Sequence, residues 1–349
     1  MNRPDAETES HVSIEPKPIA LLIASIGPRL GIEVHLEPVH QRVGQLITPD
    51  GRRFYFRGAN VDLNTLGSTE IAKDKDWAAH FMEDLGYPVP EGKAFYSARW
   101  CKRLGSDLGQ DAAFEYAQEL GFPVIVKPNS KSQGMGVQKV DNREDFLAAV
   151  KLVFNVCRDP VVLVQKPVVG DDYRILVLDD EAIAAYRRTP LSVVGDGKST
   201  IYDLVVKKQE VFIVAGRDTR INVNDTRIPI KLSSTGLCLS SVPVCGEKIE
   251  LLDNANLSDG GEAHDVTDIL GDSYRKMATQ LTYDMGLRFC GVDIITPEPI
   301  DQPIRNYTVI EINAAPGVDY YTRVGYRQQK IVEGLYEKIL LALLKNSSR

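Results

Sequence analysis

The chain has 349 residues, 43% apolar and 26% charged, which allows two or three soluble globular domains with a sizeable core. Its formal net charge of −7 argues against a broad nucleic-acid surface, so an anionic ligand must be met by local Lys and Arg clusters. Five cysteines without a CxxC spacing read as reduced thiols of a cytosolic protein, small buried residues rather than nucleophiles. The longest early apolar run, 19–26, is too short for a bilayer and lacks a basic leader, so neither signal peptide nor anchor is expected.

Residues 1–15 are polar and acidic without periodicity and read as a disordered tail. Residues 16–72 read as a short N-terminal α/β unit, with strand-like runs at 20–26, 32–36, 45–48 and 53–56 broken by Gly and Pro. Residues 73–110 read as a linking helix region. Its helix, 72–85, sets Trp77, Phe81 and Leu85 on one face and stops at Gly86 before Tyr87-Pro88-Val89-Pro90. Residues 111–168 form an α+β subdomain: a helix 111–120, a strand 123–127, a glycine-bearing loop, and a strand ending at Val140. A helix 144–156 follows, opened by a capping-box-like Asp141 and Glu144, then a strand 161–166.

Residues 169–349 read as one larger sheet domain. A hairpin, 174–178 with 182–187, turns at Asp179-Asp180-Glu181, and 200–208 looks helical. Residues 211–262 are loop-rich, a helix 268–285 ends at Gly286, and a last helix, 328–344, places Ile331, Leu335, Ile339, Leu340 and Leu343 on a packing face.

The segments 291–295 and 309–317 alternate and are β-branched, and the polar run between them carries three prolines, so they predict an antiparallel hairpin. Ile310 and Ile312 then point into the core while Glu311 and Asn313 share the other face. A turn centred near Gln302 sets Asp293 opposite Glu311. Two carboxylates and an amide oxygen so placed suit Mg²⁺, the plain alternative being a solvated strand face.

The loop Lys127-Pro128-Asn129-Ser130-Lys131-Ser132-Gln133-Gly134-Met135-Gly136-Val137 joins two strands. Gly134 and Gly136 let the backbone approach a ligand with its N–H groups free, and Lys127 and Lys131 add charge, although an ordinary hairpin has the same pattern. Gly195-Asp196-Gly197-Lys198-Ser199 carries Ser192 where a Walker A motif needs glycine, so it reads as a helix-capping turn with Lys198 in solvent. Val164-Gln165-Lys166-Pro167-Val168 leaves a strand for a new domain, a place where ligands commonly bind. Asp171, Asp172 and Arg174 follow it, suiting a nucleotide or forming a surface salt-bridge cluster. Arg187, Arg188, Arg217, Arg220 and Arg227 concentrate positive charge in an otherwise acidic chain.

In this order, over roughly residues 70–320, these motifs resemble the ATP-grasp superfamily of carboxylate–amine ligases. The resemblance implies an α/β (α+β) ATP-grasp fold in which two α+β subdomains clasp ATP. Asp74-Lys75 resembles the first nucleotide lysine of D-alanine–D-alanine ligases, and Val126-Lys127-Pro128 with Gln133, Gly134 and Gly136 resembles the second lysine and the phosphate-covering lid. Gln165, Lys166, Pro167 and Val168 resemble the adenine hinge, with Asp171 or Asp172 at the ribose. Asp293, Glu311 and Asn313 resemble the magnesium triad.

Asp172-Tyr173-Arg174-Ile175-Leu176, the stretch 194–201, Ala255-Asn256-Leu257-Ser258-Asp259-Gly260-Gly261 and Asp265-Val266-Thr267-Asp268 are most similar to cyanophycin synthetase and to bifunctional glutathione synthetases. That likeness assigns Arg174, Arg188 and Lys127 to the acyl phosphate as catalytic groups. It assigns Asn256, Gly260, Gly261, Arg188 and Gly317 to the substrate. It implies ATP, two Mg²⁺ ions with Mn²⁺ as a substitute, small-molecule carboxylate and amine substrates, a homo-oligomer, and a cytoplasmic enzyme without membrane or nucleic-acid partners. The expected reaction is amide formation through an acyl phosphate, with ADP and phosphate released. The alternatives are a ligase adding amino acids to a protein or polymer terminus, and a non-catalytic nucleotide-binding regulator. Cyanophycin synthetase also has a Mur-ligase-like half and a longer N-terminal domain, for which 349 residues leave no room. Where D-alanine ligases place Arg two residues before the first metal Asp, this chain has Gly291.

Overall fold

The computed structural model describes residues 18–215, 217 and 219–345, so the acidic tail falls outside the described residues. The chain opens with helix α1 (Ile19–Ile26), a four-stranded antiparallel sheet of β1 (Glu33–Leu36), β2 (Val43–Ile47), β3 (Arg53–Arg57) and β4 (Asn60–Val61), and helices α2 (Leu66–Lys73) and α3 (Lys75–Asp84). The run expected as a strand at 20–26 is thus a helix. Its buried residues, Ile19, Ala20, Leu22, Ile23 and Ile26, follow the 3.6-residue period of one helical face, which a short, almost wholly apolar run hides. The expected single helix 72–85 is two. Asp74 breaks it in extended geometry and caps α3 by accepting from the Trp77 amide at 3.0 Å. Trp77, Phe81 and Leu85, expected to pack, are exposed, and Ala78 and Met82 face the core instead.

A second antiparallel sheet has the order β5 (Gly92–Tyr96), β8 (Val161–Gln165), β6 (Val124–Pro128), β7 (Gln138–Val140), so the linking region also supplies a strand. The helix α4 (Ala98–Leu104) follows β5, and helices α5 (Gln110–Leu120) and α6 (Arg143–Lys151) pack on this sheet through Phe146, Ala113, Ala117, Val124, Val126 and Val164. Asn142 with Asp145, not Asp141 with Glu144, caps α6: its Oδ1 accepts from the Asp145 amide at 3.0 Å.

The central sheet has the order β13 (Glu262–Asp265), β10 (Glu181–Thr189), β9 (Asp171–Leu178), β14 (Phe289–Thr296), β15 (Thr308–Asn313), all antiparallel. One face, with Tyr173, Ile175, Val177, Val292, Ile294 and Ile312, packs on α9 (Asp272–Asp284) through Tyr274, Ala278 and Leu281. The other face is divided. Leu176, Leu178, Ala184 and Phe289 join one core with α1, the first sheet and α11 (Tyr326–Lys345), so the N-terminal unit is continuous with the last helix. The rest of that face is polar and forms the site. Between β10 and β13 an insert of β11 (Ser192–Val194), α7 (Ile201–Val214), α8 (Arg227–Ser233) and β12 (Lys248–Glu250) has its own small core around Leu191, Leu204 and Leu232. Thr200 and Asp203 form a reciprocal capping box at α7, preceded by the Asp196 turn with Lys198 exposed, as expected. A short helix α10 (Asp319–Thr322) precedes α11. Among the described residues no helix is long and apolar enough to cross a membrane.

Candidate active site

The hairpin β14–β15 pairs Asp293 with Glu311 and Gly291 with Asn313. Just beyond, the register shifts: Ile294 pairs with Val309 and Ile310 is the extra residue of a bulge. Val309 is therefore fully buried where Ile310 was expected, and Ile310 is only half-buried. Asn64 fixes this end of the sheet. Its Nδ2 donates to the carbonyls of Phe289 (2.7 Å) and Ala314 (2.9 Å), and its Oδ1 accepts from the amides of Arg288 (2.8 Å) and Phe289 (3.0 Å).

Asp293 is 1% exposed and accepts a bidentate pair from Arg174, Nε and Nη2 each at 2.6 Å, with Arg188 Nη2 at 2.9 Å. Arg188 holds Asp172 at 2.6 and 2.8 Å. Burial pushes the Asp172 carboxyl up, and Arg188 opposes that shift. Asp172, half-buried and held by Arg188, is thus occupied within the sheet, whereas Asp171 lies exposed beside Arg187 (3.3 Å) next to the hinge. Of the two ribose candidates, Asp171 is the more exposed.

Two lysines approach from the other side. Lys127, on β6, is 7% exposed, and burial lowers its ammonium to about 8 against the opposing pull of Glu311. Lys75, at the first turn of α3, donates to the Lys131 carbonyl (2.7 Å) and lies 3.5 Å from Glu311. Burial works against the charge on Glu311, yet Lys75, Arg174, the Asn313 amide and Lys127 together hold it far below the usual carboxylate range. Asn129, buried below Lys75, accepts from the Asp76 amide at 2.9 Å and ties α3 to the lid loop. Asp159 holds the start of that loop by accepting from the Ser130 amide (2.7 Å) and hydroxyl (2.8 Å).

Gln133, Gly134 and Gly136 all have positive φ, at 58°, 68° and 71°. A Cβ on Gly134 would run into the Asn256 amide, and the Gln133 carbonyl accepts from Ser258 Oγ at 3.3 Å. The lid loop therefore rests on the asparagine loop predicted to bind substrate. Gly261 donates to the Asn256 carbonyl (3.0 Å) and lies against the Thr189 carbonyl, next to Arg188. Gly260, at φ +101°, completes that turn. Gln165 is buried at the end of β8, while Lys166 is exposed and 3.7 Å from Glu91. A cavity of about 420 Å³ opens where Val168 and Val169 meet Ile295, Pro297 and Tyr307 of the hairpin. Pro167 sits half-buried at this hinge. Gly317 is exposed, with open space where a Cβ would stand. Arg217 and Arg227 bind protein groups, Arg217 the Leu257 and Gly261 carbonyls and Arg227 the Asp225 and Asp259 carboxylates.

Among the described residues no three His, Cys, Asp or Glu side chains gather as a metal site. The set here is two carboxylates and an amide. Asn313 Nδ2 donates to Glu311 (3.1 Å), which leaves its carbonyl oxygen as a third hard donor beside Glu311 and Asp293. An all-oxygen set of this kind fits Mg²⁺. Four cations (Lys75, Lys127, Arg174, Arg188) surround three carboxylates (Asp172, Asp293, Glu311), so the patch is positive by one in a chain of net charge −7.

A lid sheet and a central sheet facing each other across buried lysines and an acidic hairpin define the ATP-grasp class. Two family models match in sequence: D-ala D-ala ligase C-terminus over residues 81–228 and RimK-like ATP-grasp domain over residues 253–333. The chain belongs to the ATP-grasp superfamily. It is similar to the glutathione biosynthesis bifunctional protein GshAB of Pasteurella multocida, 31% identical over 264 residues, covering 70% of this chain and 32% of that protein. It is similar also to the cyanophycin synthetase of Trichormus variabilis, 33% identical over 265 residues, covering 74% of this chain and 28% of that one. The crystal structure of a bifunctional glutathione synthetase from Pasteurella multocida superposes with a TM-score of 0.54 at 28% identity, covering 87% of this chain and 42% of that one. The chain spans about a third of the length of these curated relatives.

The sequence reading gave no role to Asn64 and Asp159, which stand in no motif and act through partners elsewhere in the chain, or to Asn129, which stands in the lid loop and ties it to α3.

Proposed function

We propose that this chain is an ATP-dependent carboxylate–amine ligase that forms an amide or peptide bond between small molecules, amino acids or short peptides. The observation that carries the reading is the convergence of Lys75, Lys127, Arg174 and Arg188 with Asp293, Glu311 and Asn313 on one buried patch under a glycine lid. The relatives are named a glutathione biosynthesis bifunctional protein and a cyanophycin synthetase, and the likeness to about a third of their length supports the reading. ATP would lie between residues 111–168 and 169–349, its base near the hinge at Gln165–Val168 and its ribose toward Asp171. The 420 Å³ cavity beside the hinge is in the range of a small-ligand pocket.

Lys75 and Lys127 would bind the phosphates and Arg174 and Arg188 the transferring group. The substrate carboxylate attacks the γ-phosphorus, ADP leaves, and an acyl phosphate remains. An amine then attacks the acyl carbon, and phosphate departs with the carboxylate oxygen it received. Asp293, Glu311 and Asn313 would hold Mg²⁺, which neutralises charge on the phosphates. The lid at 129–136, resting on Asn256 and Ser258, would keep water from the acyl phosphate. No protein nucleophile is needed.

The test is trapping. With Mg²⁺-ATP, hydroxylamine and a panel of amino acids and dipeptides, an acid substrate yields a hydroxamate together with ADP. ATP bound without hydroxamate, ADP or phosphate for any acid would refute a small-molecule ligase.

A further inference from the structure

The insert between β10 and β13 has its own core, and Arg217, just past the end of α7, is where it grips the site. The guanidinium lies over the Phe212 ring of α7 at 4.0 Å and over the Tyr320 ring of α10 at 5.3 Å. Its Nη2 donates to the Leu257 carbonyl and, at 2.7 Å, to the Gly261 carbonyl. Its Nε donates to Thr219 Oγ1 at 3.0 Å, and that hydroxyl donates to the same Leu257 carbonyl at 3.3 Å. Gln209 ties the loop that carries the arginine back to α7: its Nε2 donates to the Thr219 carbonyl (3.1 Å) and its Oε1 accepts from the Ile221 amide (2.6 Å). One cation thus joins the insert, the asparagine turn and the segment that follows β15.

The turn it holds has few bonds of its own. The Gly261 amide closes it on the Asn256 carbonyl at 3.0 Å, and the Gly260 amide reaches the Leu257 carbonyl at 3.3 Å. A planar guanidinium, with its donors fixed in a fork, can grip two carbonyls of such a turn at once, and bonds from a charged donor are the stronger kind. The same turn carries the lid. A Cβ on Gly134 would run into the amides of both Asn254 and Asn256, and Ser258 Oγ donates to the Gln133 carbonyl at 3.3 Å. The lid therefore rests on a turn whose own place is set from the insert.

We propose that Arg217 is a positioning residue for the lid: by holding the Leu257 and Gly261 carbonyls it fixes the asparagine turn as the seat of Gln133 and Gly134, so that insert and lid enclose the nucleotide as one piece. The chain of contacts runs from Arg217 to the turn, from the turn through Asn256 and Ser258 to the lid, and from the lid to the phosphates beneath it. The consequence for amide formation rests on the ligase reading. The consequence for the lid rests only on the contacts and on nucleotide lying under it.

The test is amide hydrogen exchange on the full chain, read by mass spectrometry over 254–262 and over 129–137, where the Met135 and Val137 amides bond to the Ser132 and Gly134 carbonyls. Arg217→Met keeps an apolar stem against the rings and removes the donors. It is expected to speed exchange about tenfold in both stretches and to weaken Mg²⁺-ADP binding, measured by calorimetry, by about tenfold, the effect of one hydrogen bond from a charged group. Arg217→Lys, which keeps the cation with a less matched donor set, should fall between the two; if Arg217→Met does not fold, the lysine variant reads the same two stretches. Arg275→Met is the control for general loosening, because Arg275 also holds backbone carbonyls, those of Leu270, Ala182 and Thr267, on the α9 side of the central sheet, and its loss should leave lid exchange as in the wild type. Faster exchange in 254–262 with the lid unchanged, no change in either stretch, unchanged ADP affinity, or the same lid response in Arg275→Met overturns the proposal. A wild type that shows the expected exchange and ADP pattern against its variants but ligates no substrate sinks the ligase reading and leaves the role of Arg217 standing.

Discussion

Replacing Lys127 by methionine separates what this residue does for ATP from what it does to the fold. Its ammonium is 7% exposed, and burial lowers it from an ordinary 10.5 to about 8. At about 1.4 kcal/mol per pH unit, a depression of this size means that the charged form destabilises the folded state by roughly 3 kcal/mol at pH 7. The sign follows from proton counting. Between pH 8 and 10.5 the unfolded chain holds a proton the folded chain has lost, so the penalty is fully present below pH 8 and is relieved as pH rises through that window. Methionine has the same reach without the charge. Lys127→Met should therefore be more stable at pH 7, by up to about 3 kcal/mol, and the gap should close toward pH 10. ATP binding should weaken by about ten- to a hundredfold, the loss of a charge-assisted hydrogen bond to phosphate. Urea midpoints of both proteins at pH 7 and pH 10, with calorimetric ATP titrations, measure this. A methionine variant less stable than wild type at pH 7, or a gap unchanged at pH 10, would refute the burial argument.

Other substitutions probe the supports of the site. Asn64→Ala removes four hydrogen bonds to the backbone of Arg288, Phe289 and Ala314 and should cost about 3 kcal/mol in urea unfolding. Arg188→Leu leaves the half-buried Asp172 without its arginine, while Asp293 keeps Arg174, and should cost about 2–3 kcal/mol; adding Asp172→Leu should recover most of that loss, which a double-mutant cycle reads directly. Gly134→Ala forces a side chain into a φ of +68° and against the Asn256 amide, so the KM for ATP should rise while the melting temperature hardly moves.

Much of this site was legible because hairpins have short-range rules. Alternation in 291–295 and 309–313 and a proline-rich turn set Asp293 opposite Glu311, and the structure has that pair. The bulge at Ile310 was not legible, since nothing in an alternating run marks where one residue is left over. The misread helix α1 shows the limit of periodicity: when almost every position is apolar, a period of 2 and one of 3.6 fit equally. The Trp77, Phe81 and Leu85 stripe is a true helical period on the wrong face, because which face is covered depends on α2 and β15, and α3 buries the small Ala78 there. Lys75 was marked by its motif, but its contact with the Lys131 carbonyl depends on Asn129, 54 residues away.

The measurement that bears most directly on the ligase assignment is product formation by wild type and Glu311→Gln. ATP, Mg²⁺ and pairs from a panel of amino acids and dipeptides are supplied, phosphate release is followed, and products are weighed by mass spectrometry. The account predicts that one pair releases phosphate and gives a mass equal to acid plus amine less one water. It predicts that Glu311→Gln, folded as wild type by circular dichroism, does neither. Phosphate release without a condensed product, or condensation undiminished in Glu311→Gln, would contradict it.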